Sequence, residues 1–181
     1  MKIYCDFVDT NRNKWQKWQP DFLFWVLFAI TMIILFTVII NMARAETTPL
    51  TIAQQEIGYG EIGGNNKGVY VRQYLNGREG LPWCAGFISY CLKKAGYNLP
   101  YFLRAKSYLR IGKKVTIPQA GDLIIFSRQG GGHIEIISKV TKNNIWTIGG
   151  NVGSFSAKVR EFKYNRNNIL RLLAFIRIEK K

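Results

Sequence analysis

The sequence predicts an α+β domain preceded by one membrane-length apolar helix, and three observations carry that expectation. Phe22 to Ile40 is a run of nineteen residues without a charge. From about Thr51 to Gly96 the apolar residues recur at helical spacing, whereas from Leu123 onward they fall in short runs separated by turn residues. Helices followed by an antiparallel meander make an α+β arrangement. A chain of 181 residues has room for one such domain with appendages. The expected division is an N-terminal segment at 1–21, the apolar helix at 22–42, a linker at 43–50 and the domain at 51–181.

At helical rise, residues 22–40 span about 28 Å, close to the roughly 30 Å hydrocarbon core of a bilayer. The run has no polar face, which argues against a core helix. Lys2, Arg12, Lys14 and Lys17 precede it and favour a cytoplasmic N-terminus with an exported C-terminus. Ala43-Arg44-Ala45 has the small-x-small form of a signal-peptidase site. Two readings therefore stay open: a single-pass anchor in the bacterial inner membrane, or secretion after cleavage behind Ala45. In both, the domain faces the periplasm or exterior.

Within the domain, Thr51 to Tyr59 reads as a short helix and Gly60 to Gly68 as a glycine- and asparagine-rich loop. Val69 to Leu75 reads as a helix ended by Asn76-Gly77. The clearest helix starts at Cys84: Cys84, Phe87, Ile88, Cys91 and Leu92 share a face, and Lys93 and Lys94 precede Gly96. Tyr101 to Gly112 is a second basic, amphipathic stretch. Strands are expected at Leu123–Phe126, His133–Val140, Ile145–Asn151, Lys158–Lys163 and Leu170–Ile178.

The formal charge is +15 and uneven: residues 46–181 carry 21 Lys and Arg against 8 Asp and Glu. A domain this basic suits an anionic partner such as nucleic acid, an acidic membrane or an acidic wall polymer. Lys93, Lys94, Arg104, Lys106, Lys113 and Lys114 are candidates to hold it there, or form an ordinary solvated face. Nucleic acid is not expected, because no recognition motif is present and export removes most targets.

Three cysteines, Cys5, Cys84 and Cys91, are too sparse for a disulfide framework. Cys84 and Cys91 are about 10.5 Å apart in helical rise, beyond the roughly 7 Å Cα limit of a disulfide. With one histidine, the chain offers no ligand set of zinc spacing, and no metal or cofactor is expected. Cys84, in the first turn of its helix, has unpaired amides and the helix dipole to stabilise a thiolate. Cys91, mid-helix, is assigned to packing. His133 follows three glycines at a strand start, where the backbone can approach closely. A cysteine at a helix start followed by a histidine at a strand start is the papain-type order. The residue orienting the imidazole is expected to be Asn151, which follows Gly149-Gly150 at the end of the next strand. Glu135 is a rival on the same face as His133, but about 7 Å along the strand.

The segments PWCAGF (Pro82 to Phe87), PQAGDLIIF (Pro118 to Phe126), GHIEII (Gly132 to Ile137) and IGGNVG (Ile148 to Gly153) resemble CHAP domains. More narrowly, they resemble the small wall hydrolases of the NlpC/P60 superfamily found in phage and bacterial genomes. The resemblance runs from about Thr51 to Ser156. It implies a papain-like NlpC/P60-type fold and cleavage of a peptidoglycan amide, either muramoyl–alanine or within the stem or bridge peptide. It carries Cys84, His133 and Asn151 across as nucleophile, base and orienting residue. Two positions depart from the pattern. Glu135 stands where relatives carry a small residue, and Trp83 where papain-like enzymes often place an oxyanion-binding glutamine. That leaves the Cys84 amide as the one oxyanion donor in view. Two other readings compete: an inactive, basic wall-binding module of a secretion, conjugation or phage machine, and a protein whose apolar run itself damages the bilayer.

Overall fold

The computed structural model of the protein describes residues 22–43, 47–153 and 156–180. Lys2, Arg12, Lys14, Lys17 and Cys5, and the Arg44-Ala45 part of the cleavage motif, lie outside the described residues. The chain divides into two compact units, residues 1–46 and 47–181. In the first, α1 (Phe22–Ala43) is one continuous helix. Its Phe22–Ile40 portion is long and apolar enough to cross a membrane.

The second unit begins with α2 (Pro49–Gln55), two residues earlier than the spacing predicts. Thr48 explains the shift: its hydroxyl accepts from the Thr51 amide, Thr51 reciprocates, and Pro49 takes the first helical position. α3 (Val69–Tyr74) and α4 (Cys84–Lys94) match the expected helices to within two residues. Gly96, at φ 78°, closes α4 with its amide on the Lys93 carbonyl. Tyr101 to Gly112 forms only one 3-10 turn, Ala105–Arg110, pinned by the buried Ala105 and Tyr108.

Six strands make one antiparallel sheet: β1 (Lys113–Val115), β2 (Leu123–Arg128), β3 (Gly131–Val140), β4 (Asn144–Val152), β5 (Lys158–Asn165) and β6 (Leu172–Arg177). Their order is β1-β6-β2-β3-β4-β5. A two-residue turn joins β2 to β3, with Gly130 at φ 73°. β1 is the strand that patterning did not predict, because two of its three residues are lysines. Both lysines are exposed, as suits a charged sheet edge.

The sheet separates two apolar clusters. On one face Ile134, Ile136, Ile148, Leu123 and Ile125 pack under the helices with Phe87, Ile88 and Leu75. Phe87 is fully buried, and its loss to alanine would cost about 3–5 kcal/mol. A smaller cluster of Ile124, Phe126, Ile137 and Ile145 adds Tyr164 and Leu172 at its margin. Strand alternation places His133 and Glu135 on the side of Ile137, not that of Ile134 and Ile136. How the Cys84 helix meets that histidine depends on a local opening of the sheet.

Candidate active site

β3 and β4 pair from Val140↔Ile145 back to Ile136↔Ile148, and there the ladder stops. Residues 131–135 pair with β2 alone, through Arg128↔Gly131 to Ile124↔Glu135. The departure of β4 coincides with Gly149 and Gly150, where its register to β5 also shifts. A Cβ on Gly150 would lie 2.6 Å from Trp83 Cζ3 and 2.9 Å from Phe87 Cβ. Only glycine lets β4 pass so close to the first turn of α4. A Cβ on Gly149 would lie 2.6 Å from Cγ of Glu135. The two glycines thus open space for the Cys84 helix on one side and for the Glu135 side chain on the other.

Cys84 stands at the N-terminus of α4, and Trp83, directly before it, is wholly buried. Trp83 stacks on Tyr74 with ring centroids 5.2 Å apart, and its indole N–H donates to Glu61 Oε1 at 3.2 Å. That carboxylate also accepts from the Asn66 and Ala157 amides at 2.9 and 3.0 Å. The Trp83 indole is therefore committed to Glu61, and residue 83 is a structural wedge behind Cys84.

Burial pushes the Cys84 thiol up, but it is outweighed. The His133 hydrogen bond and charge, the Arg128 charge and the Ile134 backbone amide together bring the thiol below its ordinary value. The amide of Ile134 lies in the part of β3 that has no β4 partner, which is why it can serve the sulfur. Burial pulls His133 down, but the Cys84 and Glu135 hydrogen bonds and charges raise it above its ordinary value. Opposite shifts on adjacent groups favour a thiolate–imidazolium pair.

The two candidates for the third residue differ in their contact with the imidazole. His133 Nε2 lies 3.0 Å from Glu135 Oε1, whereas Asn151 has no hydrogen bond to His133 among the described residues. Asn151 sits past the point where β4 leaves β3, in a left-handed conformation at φ 59°. The 7 Å strand spacing that argued against Glu135 is bridged by the length of the glutamate side chain. Glu135 is held from three sides: by the imidazole, by Thr147 Oγ1 at 2.6 Å to Oε2, and by Tyr164 Oη at 3.1 Å to Oε1. Burial, then the Glu135 charge, push the Tyr164 phenol far up, so it stays a donor. With Nε2 engaged by Glu135, Nδ1 is the imidazole nitrogen left to face the thiol, and it has no other hydrogen-bond partner among the described residues.

Cys91, the other described thiol, is fully buried, and burial, then the Glu56 charge, push it well above its ordinary value. It is a packing residue. Among the described residues no group of three His, Cys, Asp or Glu is placed to hold a metal. A pocket of about 290 Å³ opens beside His133, with Phe126, Arg128, Tyr164, Asn168 and Arg171 among its walls. Thr147, Tyr164, Glu61 and both arginines of this region escaped the sequence reading. No motif marks them, and their roles come from strand pairing and loop closure.

Residues 76–151 match the family model of the CHAP domain. The match runs from before α4 to the end of the glycine-opened stretch of β4. No curated protein matches the chain. Among solved structures the chain is similar to the peptidoglycan hydrolase RipB of Mycobacterium tuberculosis, at 18% identity and a TM-score of 0.47. That similarity covers 75% of this chain and 65% of RipB, so the chain spans just under two thirds of that protein. A P60 domain from an antigen of Mycobacterium avium subspecies paratuberculosis gives 19% identity and a TM-score of 0.46, covering 74% of this chain and 93% of that one. The resuscitation promoting factor interacting protein RipA gives 21% and 0.47, covering 75% of this chain and 62% of RipA. The stretch that matches the CHAP domain model, residues 76–151, contains Cys84, His133, Glu135 and Asn151.

Proposed function

We propose that the protein is a cell-wall hydrolase that cleaves an amide bond of peptidoglycan by cysteine nucleophilic catalysis. The observation that carries this reading is the buried Cys84–His133–Glu135 line in the gap between β3 and β4, with the thiol lowered and the imidazole raised. The CHAP family match supports the substrate class. Of the eight acids in residues 46–181, Glu56, Glu61, Glu79, Asp122, Glu135 and Glu161 all accept internal hydrogen bonds. The basic excess is thus left to face an anionic wall.

In this mechanism the Cys84 thiolate attacks the amide carbon, and the carbonyl electrons move to oxygen. No side chain caps the first turn of α4, so the Cys84 amide is available to that oxyanion. The tetrahedral adduct collapses as the C–N bond breaks, and the amine leaves with a proton from His133. A water then gives its proton to the now neutral imidazole and attacks the thioester, releasing the carboxylic acid and the thiolate. Glu135 keeps the imidazole in one orientation and stabilises its cationic form. Asn151, left-handed at φ 59° near the end of β4, is the alternative orienting residue. α1 serves as a single-pass membrane anchor, with the N-terminus cytoplasmic and the domain facing outward.

The test is incubation of the full chain, in detergent micelles, with purified sacculi. Amino groups and soluble muropeptides should appear, and mass spectrometry identifies the bond cut. Binding to sacculi without release would support the inactive wall-binding module instead.

A further inference from the structure

The pocket beside His133 is lined by two arginines, Arg128 and Arg171, that form no ion pair among the described residues. Arg128 ends β2, and Arg171 precedes β6 across a bulge, its carbonyl accepting the Ser127 amide at 2.8 Å. No wall of the pocket is acidic. Neither arginine forms an ion pair among the described residues, although Arg72 and Arg177 both do. Arg171 also takes φ 59°, a left-handed conformation that a residue with a side chain rarely adopts. Such backbone outliers collect where a side chain must be held at a site. Asn168, Tyr164 and His133 also line the pocket. The Arg128 charge is close enough to act on the Cys84 sulfur.

We infer that this pocket is a subsite for a carboxylate borne by the amine-leaving half of the substrate, clasped between Arg128 and Arg171. The inference rests on the hydrolase reading for its choice of half. His133 hands its proton to the departing amine, so a pocket walled by that imidazole receives the amine side of the bond. A peptide with a free carboxylate there gains two charge-assisted contacts, and the matching carboxamide gains neither charge. The pocket thereby discriminates between acid and amide forms of otherwise identical peptides.

Alanyl-alanine and its C-terminal amide, which differ by one charge, are the probes. Each is titrated against the full-length protein while alkylation of Cys84 by iodoacetamide is followed by mass spectrometry. The acid should half-protect the thiol at a concentration roughly tenfold below that of the amide, with the margin shrinking in high salt. Arg171→Gln and Arg128→Gln should each narrow the margin, and Arg171→Lys should retain part of it. Equal protection by both probes, protection by neither, or a margin unchanged in Arg171→Gln and Arg128→Gln would overturn the inference. Sacculus digestion is run in parallel. Wall cleavage without a carboxylate margin refutes the subsite and leaves the hydrolase reading standing. A margin without wall cleavage refutes the hydrolase reading and leaves a carboxylate-binding pocket.

Discussion

Oε1 of Glu135 lies 3.0 Å from Nε2 of His133, two residues earlier on the same strand, and both side chains are almost entirely shielded from water. A carboxylate in that position, with its other bonds to Thr147 and Tyr164 already made, does two things to the imidazole. It fixes which nitrogen faces the thiol, and it stabilises the cation.

Glu135→Gln keeps the size of the side chain and removes its charge. Turnover on a soluble wall fragment should fall by about 10²- to 10⁴-fold. Glu135 is one of the causes that raise His133, so its loss lowers the imidazole pKa. The alkaline limb of the pH–rate profile should therefore move to lower pH. Asn151→Gly, which relieves the left-handed backbone at φ 59°, should cost less turnover than Glu135→Gln. The opposite order would return the orienting role to Asn151.

The two described thiols should react very differently. Cys84 is lowered by His133 and Arg128 against its burial, whereas Cys91 is raised by burial and by Glu56. Of these two, iodoacetamide should label Cys84 and spare Cys91 in the native protein, read by peptide mapping. The rate should rise with pH through an inflection below that of a free cysteine. In His133→Ala the largest lowering causes are gone and burial dominates, so the inflection should move up. An unmoved inflection would mean that the thiol and imidazole are not coupled.

Gly149 and Gly150 separate function from stability. Gly149→Ala places a Cβ 2.6 Å from Glu135 Cγ, which can yield only by moving the carboxylate from His133. This variant should fold and lose activity, with the same downward shift of the alkaline limb as Glu135→Gln. Gly150→Ala instead meets the Trp83 ring at 2.6 Å and Phe87 at 2.9 Å, inside the core. It should lose about 1–3 kcal/mol of stability, measured by denaturant unfolding. Equal melting behaviour of the two variants would argue against this division.

Glu61 holds the Trp83 wedge behind Cys84. Glu61→Ala strips the acceptor from the Trp83 indole and from the Asn66 and Ala157 amides. The cost should be about 2–4 kcal/mol, because buried donors are left without partners. Glu61→Gln, which keeps one acceptor oxygen, should recover part of it.

Much of the architecture was legible because the residues announce their surroundings. The α4 face of Cys84, Phe87, Ile88 and Cys91 could only be a buried helix, and the apolar runs at 123–126 and 133–140 could only be strands. The positions of Cys84 and His133 followed from those elements. The partner of His133 did not, because the choice between Glu135 and Asn151 turns on where β4 leaves β3. That point is set by Gly149 and Gly150 packing against Glu135, Trp83 and Phe87, contacts between segments far apart in sequence. Arg128 and Arg171 are equally silent in sequence, since two lone basic residues in a chain rich in them carry no pattern.

The central claim, that Cys84 and His133 act as one unit on wall amides, is tested most directly by a double-mutant cycle. Initial rates of amino-group release from sacculi are measured for the full-length protein, Cys84→Ala, His133→Ala and the double variant, each checked for native circular dichroism. If the pair acts as a unit, both single variants fall to the same residual rate and the double variant is no slower. Losses that multiply in the double variant, or a Cys84→Ala protein that releases amino groups as fast as the unmodified chain, would contradict it.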